Sequence, residues 1–146
     1  MGRLSLPSAG EVYVDANTVI YAVEKIEPYA SFLNPLWSAA GSGQLSIITS
    51  ELTLLETLTK PLRDGNQALE QLFRAFLTSR EVTLKPAALV TWEQAARLRA
   101  LGLKTPDALH AATGLVEGCV LFLTNDRAFL RVTDLPVTVL SDAIAI

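Results

Sequence analysis

The chain has 146 residues, one cysteine and a formal net charge of −3; half of its residues are hydrophobic and only 18% are charged. Low hydrophobicity with high net charge marks disorder, and this balance is the reverse. Cys119 cannot form an internal disulfide alone, and the longest clean apolar run, Cys119 to Leu123, falls far short of the ~18 residues that a membrane span requires.

Met1 to Pro7 lacks the sustained apolar core of a secretory signal. The expectation is therefore one compact cytoplasmic domain over residues 1–146, with its core in residues 11–140 and no membrane association. A chain of this length buries about 68–70% of its unfolded surface, enough for a real core. The acidic balance argues against a general nucleic-acid coat, which would be basic. A nucleic-acid ligand would have to be met through a local patch or a bound cation.

Glu11 to Val14 is short and β-branched, and predicts a strand ending at Asp15. Residues 17–26 predict a helix, and Pro28 to Ala40 a second that Pro35 could interrupt. Gly41-Ser42-Gly43 predicts a turn into the strand Leu45 to Ile48. Ser50 is placed as the N-cap of a helix that runs to Lys60 and is stopped by Pro61. Leu69, Leu72, Phe73, Phe76 and Leu77 fall on one helical face and predict a helix over residues 66–79. Val82 to Leu84 predicts a strand, and residues 87–101 a helix. Thr105-Pro106 fits an N-cap followed by proline at the first helical position, with the helix reaching Glu117. Val120 to Leu123 and Val137 to Leu140 predict the last two strands. Strands without polar alternation, separated by helices, indicate a parallel sheet covered on both faces. The fold class is α/β: a three-layer α/β/α sandwich with about five strands, whose order the sequence leaves open.

Ligands of such sheets bind outside the carboxyl ends of the strands. Four acids stand at such places. Asp15 follows the first strand, Glu56 lies six residues after Ser50, Asp107 opens the helix before the fourth strand, and Asp126 closely follows that strand. Unpaired carboxylates that converge push one another toward protonation, and a shared cation removes that cost. An all-oxygen donor set suits Mg²⁺ or Mn²⁺ better than Zn²⁺. Each acid also has an ordinary role open to it. Asp15 could be a turn residue, Asp107 a complement to the helix dipole, Glu56 part of a capping box with Thr53, and Asp126 a turn residue or an N-cap. Glu51, in the first turn of its helix, reads as a solvated or dipole-stabilising acid.

Four motifs in order resemble the PIN domain family, which includes the VapC-type bacterial toxins. They are Val12-Tyr13-Val14-Asp15-Ala16-Asn17; Ser50 with Glu56 six residues on; Thr105-Pro106-Asp107-Ala108-Leu109-His110-Ala111-Ala112; and Leu123-Thr124-Asn125-Asp126 with Phe129. The resemblance runs over residues 11–140. It implies a five-stranded parallel sheet flanked by helices and a metal-dependent endoribonuclease. Asp15, Glu56, Asp107 and Asp126 would bind one or two Mg²⁺ or Mn²⁺ ions and serve as the catalytic set. Water would attack the phosphodiester in line, without a covalent enzyme intermediate. Asn17 would orient Asp15 or the water, and Thr124 and Asn125 would do the same beside Asp126. RNA is the implied substrate and a cognate antitoxin the implied partner, its segment entering the acidic groove.

Lys60, Arg63, Lys104 and Arg127 lie close in sequence to the acids and are candidate phosphate contacts; solvated surface charge is the alternative. His110, three residues after Asp107, shares its helix face and reads as a packing residue rather than a metal ligand. Cys119 reads as a buried thiol, and Trp37 and Trp92 as packing or interface residues. The apolar composition suggests a homodimer, with residues 17–40 and 66–79 as candidate faces.

Two other functions compete. A non-catalytic RNA-binding or scaffold protein of the same fold would be expected to have lost some of the acids, whereas all four are present. A receiver-type signalling domain needs paired acids at the first strand and a phosphoacceptor after the third. Here Asp15 has no acidic neighbour, and Leu84 leads into Lys85-Pro86. A phosphatase of the Asp-x-Asp type is disfavoured by Asn17.

Overall fold

The computed structural model describes residues 2–146. Its strands are β1 (Glu11–Val14), β2 (Ser46–Ser50), β3 (Val82–Lys85), β4 (Leu121–Thr124) and β5 (Val137–Val139). They form one sheet in the order β3-β2-β1-β4-β5, and every neighbouring pair is parallel. Parallel neighbours cannot be joined by hairpins and need crossovers. The helices supply them: α1 (Ala16–Val23), α2 (Tyr29–Gly41), α3 (Leu52–Asp64), α4 (Gln67–Leu77), α5 (Leu89–Ala100) and α6 (Thr105–Glu117), with a short α7 (Leu140–Ile144) after β5.

Alternation along the strands feeds two cores. Val12 and Val14 of β1, Ile47 of β2, and Leu121 and Leu123 of β4 pack with Val19, Leu33, Leu36, Phe73 and Leu77 from α1, α2 and α4. The intervening Tyr13, Ile48 and Phe122 point the other way, against Ala95 and Leu98 of α5 and Ala108, Ala111 and Ala112 of α6. This is why the strands read as unbroken apolar runs: both of their faces are buried. Small side chains let α6 lie close to the sheet. A Cβ at Gly114 would sit 3.0 Å from the Phe122 ring and 3.3 Å from Cys119 Sγ.

Several element ends differ from expectation for identifiable reasons. Pro61 lies inside α3 rather than ending it. Its missing N–H removes one bond near the last turn, while buried Thr57, Leu58 and Pro61 itself hold the helix down. Gly65, at φ +66°, ends the helix instead, with its N–H on Leu62 O and the Asn66 N–H on Pro61 O. Pro35 likewise stays inside α2. The α6 cap falls one residue early, at Lys104, so Pro106 is the second helical residue. Leu140 begins α7 instead of ending β5. A 3-10 turn, Arg127–Arg131, follows β4.

The two segments expected to offer a dimer face use most of their large apolar side chains internally. Phe32, Leu33, Leu36, Phe73 and Leu77 are buried, and Trp37 packs edge-on against Phe76 at 5.3 Å. Exposed large apolar residues include Leu55 and Leu62 on α3 and Leu89, Val90 and Trp92 on α5, with Leu72 on α4. Among the described residues no helix is long and apolar enough to cross a membrane.

Cys119 is buried beside α6, and burial pushes its thiol up to about 11. Only about one molecule in a thousand then carries a thiolate at pH 8, and the thiolate is the reactive form. Iodoacetamide at pH 8 should therefore label the folded protein slowly and the urea-unfolded chain at the rate of a free thiol. Fast stoichiometric labelling of the folded state would contradict this placement.

Candidate active site

The strand order reverses between β1 and β4, the first strand at the centre and the fourth beside it. At such a switch point the loops leaving neighbouring strands diverge and open a crevice. Asp15 leaves β1 there and Asp126 leaves β4.

Asp15 is buried and caps α1. Its Oδ1 accepts from the Thr18 N–H at 3.0 Å and from the Thr18 hydroxyl at 2.8 Å. That hydroxyl is shared with the Leu123 carbonyl at 3.1 Å. Its Oδ2 accepts from the Thr124 hydroxyl at 2.6 Å. Burial pushes the carboxyl above the ordinary aspartate range, and the Thr124 bond, His110 and the Thr18 bonds oppose that push. Thr124 also joins the two strand ends, because its Oγ1 accepts the Asp126 N–H at 3.0 Å. Asp126 is exposed and caps the 3-10 turn, with Oδ1 accepting from the Ala128 N–H at 2.8 Å.

The other two acids come from the helices. Asp107 is the third residue of α6, a helix whose own cap residue supplies no side-chain acceptor. A carboxylate there complements the first-turn N–H groups. Burial first, and then the charge of Asp126, raise its carboxyl above the ordinary range; Asp15 and Glu56 add to this and His110 opposes it. Asp107 therefore feels all three of the other acids. Glu56, in the second turn of α3, is half-buried and receives a 2.6 Å hydrogen bond from His110 on α6. Asp15 and Asp126 are thus joined through Thr124, and Glu56 is joined through His110 to α6, the helix that carries Asp107. Among the described residues, no three His, Cys, Asp or Glu side chains form a group that could hold a metal ion.

A PIN domain family model matches residues 12–135. The chain belongs to the PIN domain family. No curated protein matches the sequence. Among solved structures, the fold is similar to VapBC2 from Rickettsia felis bound to a promoter DNA fragment, with a TM-score of 0.73 and 18% identity, over 88% of this chain and 97% of that one. It is similar to VapC20 from Mycobacterium tuberculosis, a sarcin-ricin-loop-cleaving toxin, with a TM-score of 0.67 and 18% identity, over 83% of this chain and 94% of that one. DNA-bound VapBC from Salmonella typhimurium matches with a TM-score of 0.68 and 17% identity, over 88% and 96% of the two chains.

Around the acids of this PIN domain, the supporting residues differ in part from those expected. Asn17 is exposed, and Thr18, one residue on, holds Asp15 instead. A signal for Thr18 existed in the spacing, since an N-cap acid accepts from the residue three positions later. Thr124 orients an acid as expected, but that acid is Asp15. The Asn125 side chain turns toward other partners: it donates to the Tyr21 hydroxyl at 3.2 Å and accepts from the Ser141 N–H and hydroxyl at 2.9 and 2.7 Å. Asn125 thereby ties α7 to α1.

The basic candidates are dispersed. Lys60 is exposed, four residues after Glu56 on α3, and Lys104 is exposed at the start of α6. Arg63 pairs with exposed Asp64, and Arg127 pairs with Asp142 on α7. Trp92 is about half-exposed.

Proposed function

We propose that this PIN domain is an endoribonuclease that requires Mg²⁺ or Mn²⁺ and acts as the toxin of a toxin–antitoxin pair. What supports the reading is the placement of four carboxylates on the elements around the sheet's switch point, with Asp15 and Asp126 joined there through Thr124, together with the PIN family match over residues 12–135. Like charge so placed is costly without a cation and is relieved by one. The donor set is all oxygen, which fits a hard divalent ion. Asp15, Glu56, Asp107 and Asp126 would hold it. When bound, a divalent cation polarises a phosphoryl oxygen and lowers the pKa of water.

The chain's own groups prepare that site. Thr18 and Thr124 fix both oxygens of Asp15, while the Ala128 N–H fixes one oxygen of Asp126 and leaves the other free to turn inward. Lys60, Lys104 and, once released from their acidic partners, Arg63 and Arg127 would contact the RNA backbone. Phosphate contacts supply affinity rather than sequence choice. The toxin role is supported by structural neighbours that include a toxin–antitoxin complex from Klebsiella pneumoniae and the sarcin-ricin-loop-cleaving toxin VapC20. An acidic mouth suits blockade by an antitoxin segment carrying Arg or Lys. A homodimer is part of the same proposal, and the exposed apolar side chains of α3 and α5 are the surface available for it. Action in the cytoplasm follows from the same role.

The test is cleavage of a mixed single-stranded RNA pool by the purified protein. Cleavage should require added Mg²⁺ or Mn²⁺, cease with EDTA and return with excess metal. Cleavage undiminished by EDTA, or none with any divalent ion, would sink the proposal.

A further inference from the structure

Behind Glu56 runs a buried polar chain that the proposed chemistry leaves unused. Tyr13 is fully buried on β1, stacked on Phe122 with ring centroids 4.7 Å apart and planes 2° from parallel. Its hydroxyl accepts the Ser50 N–H at 3.1 Å and meets His110 Nδ1 at 2.6 Å. The other imidazole nitrogen, Nε2, meets Glu56 Oε1 at 2.6 Å. Three elements are thus linked in line: β1, α6 and α3.

The hydrogen bonds assign the protons. The phenol oxygen already accepts the Ser50 N–H, which leaves its own O–H to donate. The tautomer that accepts it at Nδ1 carries the ring's own N–H on Nε2, pointing at Glu56. A buried tyrosine needs only one partner for its hydroxyl. This one has two, and the second selects the imidazole tautomer that donates to the carboxylate.

We propose that Tyr13 and His110 are positioning residues for Glu56: they anchor Oε1 and leave Oε2 to face the cation. The inference rests on the metal-dependent reading above. Partners that orient ligating carboxylates are worth about 10–100-fold in metal affinity or activity when removed. Tyr13→Phe deletes a single oxygen, frees Nδ1 to take the ring proton, and turns Nε2 into an acceptor facing a carboxylate. His110→Ala deletes the donor outright. His110→Gln places an amide N–H where Nε2–H stood and is the conservative rescue.

The experiment is Mn²⁺ binding without RNA, by titration calorimetry and by the EPR signal of free Mn²⁺, on wild type, Tyr13→Phe, His110→Ala, His110→Gln and Glu56→Gln. Thermal denaturation of each variant is run alongside. The expected result is about 10–100-fold weaker binding in Tyr13→Phe and His110→Ala, with His110→Gln closer to wild type. RNA cleavage by Tyr13→Phe should recover at high Mn²⁺, so the metal concentration for half-maximal rate rises while kcat is kept. If Tyr13→Phe and His110→Ala melt earlier but bind Mn²⁺ as wild type does, the chain is structural and this inference falls alone. Equal weakening in His110→Gln and His110→Ala also overturns it. Wild type that binds no Mn²⁺, or Glu56→Gln that binds it unchanged, removes the metal assignment itself and this inference with it. Should His110→Ala fail to fold, Tyr13→Phe still decides.

Discussion

Asp15→Asn is expected to reduce RNA cleavage by about 10²–10³-fold while leaving the folded state intact. The functional part follows from charge. On the proposed reading, loss of one of the four carboxylates weakens the hold on a cation that would supply several kcal/mol at the developing phosphate charge, and each ~1.4 kcal/mol is tenfold in rate. The structural part follows from what Asp15 does for the fold. It caps α1 through the Thr18 N–H, and an asparagine oxygen caps as well as an aspartate oxygen. Burial works against the charged form of Asp15, so the neutral isostere sheds that penalty, which offsets the loss of the Thr124 bond to Oδ2. Asp15→Ala provides the contrast, losing the cap at a cost of about 1 kcal/mol. Melting temperatures with and without Mn²⁺, together with kcat/KM on RNA, separate the two effects. Asparagine should melt like wild type without metal and gain little when Mn²⁺ is added. An Asp15→Asn protein that cleaves within tenfold of wild type would take Asp15 out of the catalytic set.

The same residue shows how far the sequence alone could reach. Asp15 could be found because it ends a β-branched strand, and strand ends are where an α/β sheet offers its ligand edge. The five strands could be found because burial on both faces makes them uniformly apolar. That uniformity also hid their order, since nothing distinguishes the neighbours of Val12-Tyr13-Val14 from those of Val137-Thr138-Val139 until the helices are packed. Pro61 misled for a physical reason: a proline near a helix end costs one hydrogen bond, which the buried face of α3 and the Gly65 cap outweigh. Asn17 and Asn125 had suitable chemistry at suitable places, but direction decided against them, and direction depends on backbone angles that residue type does not fix. Thr18 stands three residues after Asp15 and Tyr13 two before it, and neither residue type announces a role beside a carboxylate. A hydroxyl in an apolar strand that is buried on both faces must find a partner, and Tyr13 is such a group. Asking what the Tyr13 hydroxyl bonds to would have led from β1 to His110 and on to Glu56.

Phe122→Ala tests whether that buried chain depends on the core beneath it, and it is expected to be the most destabilising of the changes considered. Phe122 is fully buried at the centre of the sheet, stacked on Tyr13 and tilted against Phe129 at 4.9 Å. Its ring is also what the bare Cα of Gly114 accommodates. Truncating such a phenylalanine costs about 3–5 kcal/mol, because the cavity adds to the lost burial. Stability for domains in general is about 5–15 kcal/mol, and each kcal/mol moves the melting point by roughly 2–4 °C for domains of about this size. A fall of roughly 6–20 °C is therefore expected in thermal denaturation, against only a few degrees for Phe122→Leu, which leaves a smaller cavity. The stack on Phe122 also sets the plane of the Tyr13 ring, and hence where its hydroxyl meets His110. Measured well below its lowered melting point, Phe122→Ala should bind Mn²⁺ more weakly than Phe122→Leu, in the same direction as Tyr13→Phe. Wild-type Mn²⁺ affinity in a clearly destabilised Phe122→Ala would show that Glu56 is held from α3 alone, with the aromatic layer serving packing and nothing more.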